Sequence, residues 1–377
     1  MSRQGIKTTS LTYQYLISSY CLDNQIELAL RLYTVLRGNH LEPTDATTHQ
    51  IIGALCDNNA TGEAFQLLLD CEQRSGSLKA STYIRLFRSA AEHNHIEPSF
   101  HCWRKFVDVF RIQPTQGDCL LALRVAALKA RPDLASDVLR VMNIYEYQCQ
   151  EPHLDSLFIA FVRVSDWRSA LNVLLLMWEA RFLADHSLFE PMLHRLIRQP
   201  KQMDNVLAVL TEFQLENKPV FVGVLNVLLN AKTRLGNVRD TLPFLREFQT
   251  RFHVAPTRES YHVLLEGCVV AGDNVLADQL FHEMQQQDSV DLKPNRGTYK
   301  KMIILHTHRP NYDEAFVLLE EMKAANIIPP TSAYIAIIRA CIRSSDSRAK
   351  VALKEMEMFG YPLSFELREA VSKFVAI

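Results

Sequence analysis

The residues best suited to metal or redox chemistry in this chain are its eight cysteines and 13 histidines. No two cysteines have the Cys-x-x-Cys spacing of a zinc or redox site, and no His-Glu-x-x-His motif occurs. Histidines two residues apart, such as His306 and His308, would point to different sides of a helix. The sequence therefore predicts no metal site.

Glycine-rich loops that bind nucleotides are missing too. The 377 residues include 12 glycines, with no Gly-x-Gly-x-x-Gly segment and no phosphate loop of the Gly-Lys-Ser/Thr type. The deaminase combination of His-x-Glu with Cys-x-x-Cys is also absent. We therefore expect a protein that is not an enzyme and takes no cofactor and no small-molecule substrate.

A regular set of basic residues is the clearest sign of binding chemistry. Neighbouring members of the set are separated by about 35 residues or by about twice that number. The set comprises Arg163, Arg198, Arg234, His308 and Arg343. Arginine suits paired hydrogen bonds to phosphate, so such a row is typical of nucleic-acid backbone contact. Cations at helix carboxyl ends also complement the helix dipole, which leaves a second interpretation in which they simply face solvent. Because the net charge is only −1, a nucleic acid would have to be held by a local basic face.

The basic row follows from a repeat that runs along the chain. Aligned segments place one equivalent residue in each unit, at steps of 35 to 38 residues, and we call these the ladder positions. They are Tyr13, Thr48, Tyr83, Asp118, Leu154, Phe189, Leu225, Tyr261, Tyr299 and Tyr334. Each member of the basic row lies nine residues after a ladder position. A period maintained over so many residues indicates a tandem array.

Each unit reads as a pair of helices. In the first unit, Tyr13, Ile17 and Tyr20 form one apolar stripe at helical spacing, and Ala29 and Leu32 belong to a second. A small residue recurs in the second helix, where the two helices must approach closely. These small residues are Ala29, Ala64, Ala170, Ala277, Ala315 and Ala349. The sequence predicts an all-α fold, a right-handed α-solenoid of about ten tandem 35-residue helical hairpins.

Prolines near the ends of units are expected to stop the second helix of each hairpin. They are Pro43, Pro256, Pro294 and Pro329. No run of apolar residues is long enough for a transmembrane helix. We therefore expect no membrane span.

These residues resemble the pentatricopeptide repeat family. The shared features are Thr-Tyr early in the first helix, Ala in the second, then Glu-Met-Lys and a closing proline, best seen in the segment AFVLLEEMKAANIIPP from Ala315 to Pro330. The tetratricopeptide repeat is the alternative, but it has a shorter period and expects Trp and Leu-Gly early in the unit. The resemblance covers residues 10–363 and is degenerate over 80–220. Residues 1–9 read as the tail of a possible preceding repeat, and 364–377 as a C-terminal capping helix.

The resemblance implies that single-stranded RNA lies along the first helices. One base per unit would be read by the residue after the ladder position and by the last residue of the unit. The candidate base-reading pairs are Gln14 with Thr44, Asn226 with Thr257, and His262 with Asn295; the same positions also hold His49 with Lys79, Asp155 with Asp185, Glu190 with Val220, and Lys300 with Pro330. Two residues before the ladder position the family usually has an aliphatic residue, which this chain has once, at Leu11, whereas Gly223, Gly297 and Ser332 stand there in other units.

Two functions follow from the resemblance. The first is an organellar RNA-binding protein of the mitochondrial matrix, in preference to the chloroplast, that acts in RNA processing, stability or translation on single-stranded or ribosomal RNA. The alternative is a scaffold subunit of the mitochondrial ribosome or of an assembly complex, which mainly binds protein partners. The near-zero charge favours the second function and the basic row favours the first.

Overall fold

A computed structural model describes residues 9–362, apart from residues 77, 183 and 288. Within these residues every regular element is helical. The α-helices are α1 Ser10–Leu22, α2 Ile26–Gly38, α3 Asp45–Asp57, α4 Thr61–Ser75, α5 Ala80–Glu92, α6 Ile96–Arg104, α7 Gln116–Lys129, α8 Pro132–Ile144, α9 Glu151–Val164, α10 Trp167–Glu179, α11 His186–Arg198, α12 Gln202–Leu215, α13 Val222–Leu235, α14 Leu242–Thr250, α15 Arg258–Ala271, α16 Asn274–Gln285, α17 Arg296–His306, α18 Asp313–Ala324, α19 Thr331–Arg343 and α20 Arg348–Met358. A π-helical turn, Lys105–Val109, extends α6, and a 3-10 turn, Val238–Thr241, leads into α14.

The odd-numbered helices are the first helices of the hairpins, and the even-numbered helices are the second helices. The chain divides into two compact units, 1–191 and 192–377. In the first unit α1, α3, α5, α7 and α9 pack side by side, and in the second unit α13, α15, α17 and α19 do the same. The predicted all-α array of tandem hairpins is confirmed. The predicted segments 1–9, except Thr9, and 364–377 lie outside the described residues.

The ladder positions mark the start of every first helix. Nine of them are the fourth residue of their helix, and Asp118 is the third residue of α7. All are at most 9% exposed. The hairpins within 80–220 therefore form in register although only Tyr83, of their four ladder positions, is a tyrosine.

Asp118 shows how a carboxylate can occupy a buried ladder position. Arg88 of the preceding first helix binds both carboxylate oxygens, at 2.7 Å and 3.0 Å, and Thr115 forms a capping box with the same side chain. Burial acts to raise the pKa of Asp118, but the hydrogen bonds from Arg88 and Thr115 outweigh it and hold the pKa below its ordinary value. A charge pair between neighbouring hairpins thus takes the place of an aromatic contact.

The small residues of the second helices are buried as predicted. All six predicted alanines are at most 1% exposed. Two further hairpins follow the same rule, because Ser99 and Ala135 are the buried fourth residues of α6 and α8. Close approach of the paired helices excludes a larger side chain at these positions.

The prediction that prolines stop the second helices is wrong. Helix α2 ends at Gly38 and α18 ends at Ala324, each five residues before the proline. A residue in the left-handed conformation ends the helix instead, such as Asn326 with φ 57°. The N–H of the following residue then donates to a carbonyl oxygen in the last turn of the helix. Ile327 N, for example, donates to Met322 O at 3.0 Å. The prolines lie in the extended segment that follows.

Ala315 gives a direct test of the register. We expect Ala315→Phe to lower the free energy of unfolding by about 1–3 kcal/mol, because a large side chain overpacks a site with no exposed surface. The control is Val317→Phe on the same helix, where the native side chain is 48% exposed. Urea unfolding followed by circular dichroism measures both variants. Equal stability of the two would contradict the assigned packing.

Candidate nucleic-acid interface

The first helices present a shared surface in each unit, which we call the first-helix face. It is built from α1, α3, α5, α7 and α9 in one unit, and from α13, α15, α17 and α19 in the other. At Gly267 of α15 a Cβ atom would collide with Thr233 of α13, so these two helices approach as closely as glycine allows. An open cleft of about 930 Å³ lies between them and is lined by Asn230, Arg234 and Glu266 among others.

All five members of the basic row are exposed. Arg163 donates to the carbonyl oxygen of Leu128 at 2.7 Å, and Arg343 donates to that of Thr307 at 2.9 Å. Each carbonyl lies at the carboxyl end of the preceding first helix. The two arginines therefore complement a neighbouring helix end, as the helix-dipole interpretation expects. A guanidinium has five N–H donors, so both retain further donors for phosphate.

The other members of the basic row contact only their own helix among the hydrogen bonds that the structure describes. Arg234 donates to Asn230 Oδ1 at 2.9 Å, and His308 Nδ1 lies 2.7 Å from the carbonyl oxygen of Ile304. Arg198 is at the exposed end of α11. Arg163 belongs to the first unit, and the other four belong to the second.

The last four hairpins separate charge between their two helix layers. First helices α13, α15, α17 and α19 carry eight Lys and Arg residues and two Glu residues. Second helices α14, α16, α18 and α20 carry five Lys and Arg residues and nine Asp and Glu residues. The first helices α1 to α9 of the first unit are almost balanced, with five basic and six acidic residues. A chain of net charge −1 thus presents a basic first-helix face in its second unit.

Glu266 is surrounded by the cations of this face. Lys301 of α17 forms an ion pair with it. The hydrogen bond from Lys301 lowers the pKa of Glu266, and the charges of Arg234 and Lys300 lower it further, while burial opposes them. Sequence reasoning had not included Lys301 and Arg339 in the basic face, because they lie outside the nine-residue offset. Summing charge over each helix would have revealed them.

The structure brings two of the candidate base-reading pairs into direct contact. Thr44 Oγ1 donates to Gln14 Oε1 at 3.0 Å, and Asn226 Nδ2 donates to Thr257 Oγ1 at 3.4 Å. Each pair joins one first helix to the residue that precedes the next. The predicted pairing of the two positions therefore has a geometric basis in these hairpins.

His262 and Asn295 are linked through a third residue. Thr298 Oγ1 lies 2.8 Å from His262 Nε2 and 3.1 Å from Asn295 Oδ1. A Cβ atom at Gly297 would stand 3.4 Å from the His262 ring. The ring therefore lies at van der Waals distance from the place where the family's aliphatic side chain would begin.

The remaining reading positions differ in their surroundings. His49 Nδ1 lies 2.8 Å from Thr82 Oγ1. Asp185, Glu190 and Lys300 are exposed, whereas Asp155 is half-buried. Burial and the negative charge of Glu151 raise the pKa of Asp155.

Residues 9–362, apart from the gaps given above, contain neither a metal-binding cluster nor a membrane-spanning helix. In that part of the chain, no group of three His, Cys, Asp or Glu side chains is arranged to hold a metal ion. None of the helices described there is long and apolar enough to cross a bilayer. Cys149 is exposed and Cys21 half-buried, while the other six cysteines are buried.

Known proteins share short stretches of this sequence. A pentatricopeptide repeat-containing protein of Arabidopsis thaliana is 21% identical over 39% of the chain, and the mitochondrial 15S rRNA processing factor CCM1 of Lachancea thermotolerans is 28% identical over 31%. The small ribosomal subunit protein mL103 of Arabidopsis thaliana is 36% identical over 15%. The matched regions cover 25%, 13% and 14% of these relatives, respectively.

Solved structures of two RNA complexes also align with the chain. Maize PPR10 with an 18-nt psaJ RNA element matches 97% of this chain and 57% of its own, at 13% identity and a TM-score of 0.44. Yeast Rmd9p with a 16-nt target RNA matches 98% of this chain and 97% of its own, at 12% identity and a TM-score of 0.43.

Family models match most of the sequence. A model described as pentatricopeptide repeat-containing protein matches residues 1–106 and 116–248. A second model, the pentatricopeptide repeat domain, matches residues 255–309. Because the first model alone matches more than half of the residues, the chain belongs to the pentatricopeptide repeat family.

Proposed function

We propose that this chain is a mitochondrial RNA-binding protein that holds single-stranded RNA on its first-helix face and acts in RNA processing, stability or translation. The charge separation in the last four hairpins is the observation that carries the proposal. Eight cations against two carboxylates on the first helices attract a polyanion, and the acidic second helices repel it. A binding role of this kind needs no catalytic group.

The phosphate backbone would be held mainly by the second unit. Arg234, Arg343, Lys300 and Arg339 are exposed on its first-helix face, and Arg198 is exposed at the end of α11. Such contacts supply affinity at any sequence and fix the strand in place. Sequence preference would come from side chains such as Gln14, Asn226 and His262, which present hydrogen-bonding groups between neighbouring first helices.

The mitochondrial assignment rests on two relatives. One is a mitochondrial 15S rRNA processing factor, and the other is a ribosomal small-subunit protein. They support ribosomal RNA as a partner and the mitochondrial matrix as the compartment.

A scaffold role in the mitochondrial ribosome or an assembly complex is the second candidate. The balanced first-helix face of the first unit favours it, because five basic and six acidic residues give little attraction for RNA. In that case the first unit contacts protein while the second holds RNA. Both roles can occur in one molecule.

Removing the exposed arginines of the basic row in the second unit should weaken RNA binding at every sequence. We expect the triple variant Arg198→Ala, Arg234→Ala, Arg343→Ala to flatten the dependence of log K on log salt by about 2, since each phosphate contact to a single strand contributes about 0.7. Filter binding or fluorescence anisotropy across a salt series measures this slope.

The matched control removes three exposed cations from second helices, in Arg246→Ala, Lys350→Ala, Lys354→Ala. It makes the same change in net charge and should leave the slope close to that of the parent. If the two triple variants behave alike, the basic face does not hold the RNA backbone. If the parent protein binds no RNA, the RNA-binding role is wrong and the scaffold role remains as the candidate function.

Asn226 tests base reading separately from backbone binding. We expect Asn226→Ser to change the preference for one nucleotide by about fivefold, the value of one hydrogen bond, without changing the salt slope, because the amide is lost but the charge is not. Selection from a random RNA pool measures the preference. The control is Asn205→Ser on second helix α12, where the side chain is exposed. An unchanged preference at every nucleotide would rule out base reading by Asn226.

A further inference from the structure

We call the residue after each ladder position the reading residue. The side chains of the reading residues in four hairpins share one feature. Each is hydrogen-bonded to a hydroxyl group at the start of the next first helix. The bonds join Gln14 to Thr44, His49 to Thr82, Asn226 to Ser260, and His262 to Thr298. Thr82, Ser260 and Thr298 are the third residues of their helices, and Thr44 is the N-cap of α3.

Ser260 fixes the orientation of the Asn226 amide. Its hydroxyl accepts the Thr257 N–H at 3.0 Å and donates to Asn226 Oδ1 at 2.6 Å. One lone pair of the amide oxygen is therefore engaged, and Nδ2, which donates one N–H to Thr257, has no second partner among the described hydrogen bonds. Gln14 is held in the same sense, because Thr44 donates to its Oε1. Both amides thus keep an N–H donor, although Asn226 is only 8% exposed.

Thr298 selects the tautomer of His262. Its hydroxyl donates to Asn295 Oδ1 at 3.1 Å and accepts the Asn295 N–H at 3.1 Å. A hydroxyl has a single proton; given to Asn295 Oδ1, it leaves the oxygen to accept the N–H of His262 Nε2, and Nδ1 is then the acceptor of the ring. Burial lowers the pKa of His262, and the charge of Lys301 lowers it further while that of Glu259 opposes them, which favours the neutral ring.

The reading residue is an amide or an imidazole in the four hairpins that have this hydroxyl, and it is of another type in three hairpins that lack it. Where the third residue of the next first helix is apolar, as at Leu188, Val224 and Ala333, the reading residue is charged: it is Asp155, Glu190 and Lys300, respectively. A charged side chain is fully donor or fully acceptor and needs no orienting partner. An amide or a neutral imidazole has both functions and presents a defined one only when a neighbour occupies the other.

We infer that Ser260 and Thr298 are positioning residues for base specificity, and that each sets the hydrogen-bonding group its reading side chain offers. Asn226 offers an amide donor, which selects bases with an acceptor at the contacted edge. His262 offers an acceptor, which selects bases with a donor. This inference rests on the proposed function, since it assumes that RNA occupies the first-helix face.

The test uses the full chain and a random-sequence pool of single-stranded RNA. The parent protein is expected to enrich one base at the nucleotide that Asn226 contacts. Ser260→Ala frees the amide to turn over, so the preference should fall by about fivefold while overall affinity and salt slope are retained. Ser260→Thr restores the hydroxyl and should restore the preference. Asp166→Ala on second helix α10 is the control for a lost helix cap, because Asp166 caps Ser169 away from any reading residue.

The outcomes separate this inference from the proposed function. Unchanged base preference in a folded Ser260→Ala variant would overturn the positioning role and leave RNA binding intact. RNA binding by the parent with no base enriched would overturn it as well, again without touching the proposed function. Absence of RNA binding by the parent would overturn both. Loss of preference in Asp166→Ala would show that cap loss alone causes the effect, which also overturns it.

Discussion

Contact between neighbouring hairpins is the constraint on which this protein depends. A hairpin of about 35 residues cannot bury its own apolar stripes, so each first helix must pack against the first helices before and after it. The ladder residues recur near the start of each first helix and are all buried. Because the contact recurs in every hairpin, any side chain at a fixed offset from the ladder recurs along the same face. Both the basic row and the reading positions owe their order to it.

Sequence periodicity was enough to predict the hairpins, because burial at one position per turn is a strong and local signal. It located the ladder even at Asp118 and Leu154, where the residue type gives no help. The residues at which the helices end were harder to predict from the sequence. Prolines are conspicuous in sequence, but the helices stop earlier at residues such as Asn326, whose left-handed backbone depends on a hydrogen bond to the preceding turn.

The candidate interface was predictable only in part. A fixed offset found Arg234 and Arg343 but missed Lys301, whose position became meaningful once whole helices could be compared. The hydrogen bonds that join Asn226 to Ser260 and His262 to Thr298 connect residues 34 and 36 positions apart. No local pattern encodes such a bond, since it depends on how far one hairpin is rotated and displaced relative to the next.

The bonds from Arg163 and Arg343 to the preceding helix ends have a mechanical consequence. Each bond joins one first helix to the next and spans only the junction between those two hairpins. A small change in the spacing of the hairpins at one junction therefore adds to the changes at the other junctions of the same unit. A phosphate that draws a guanidinium away from its carbonyl would remove one such bond and soften that junction. Ligand binding and elastic compliance would then be coupled through the same arginine, and a bound strand could adjust the spacing of the hairpins that hold it.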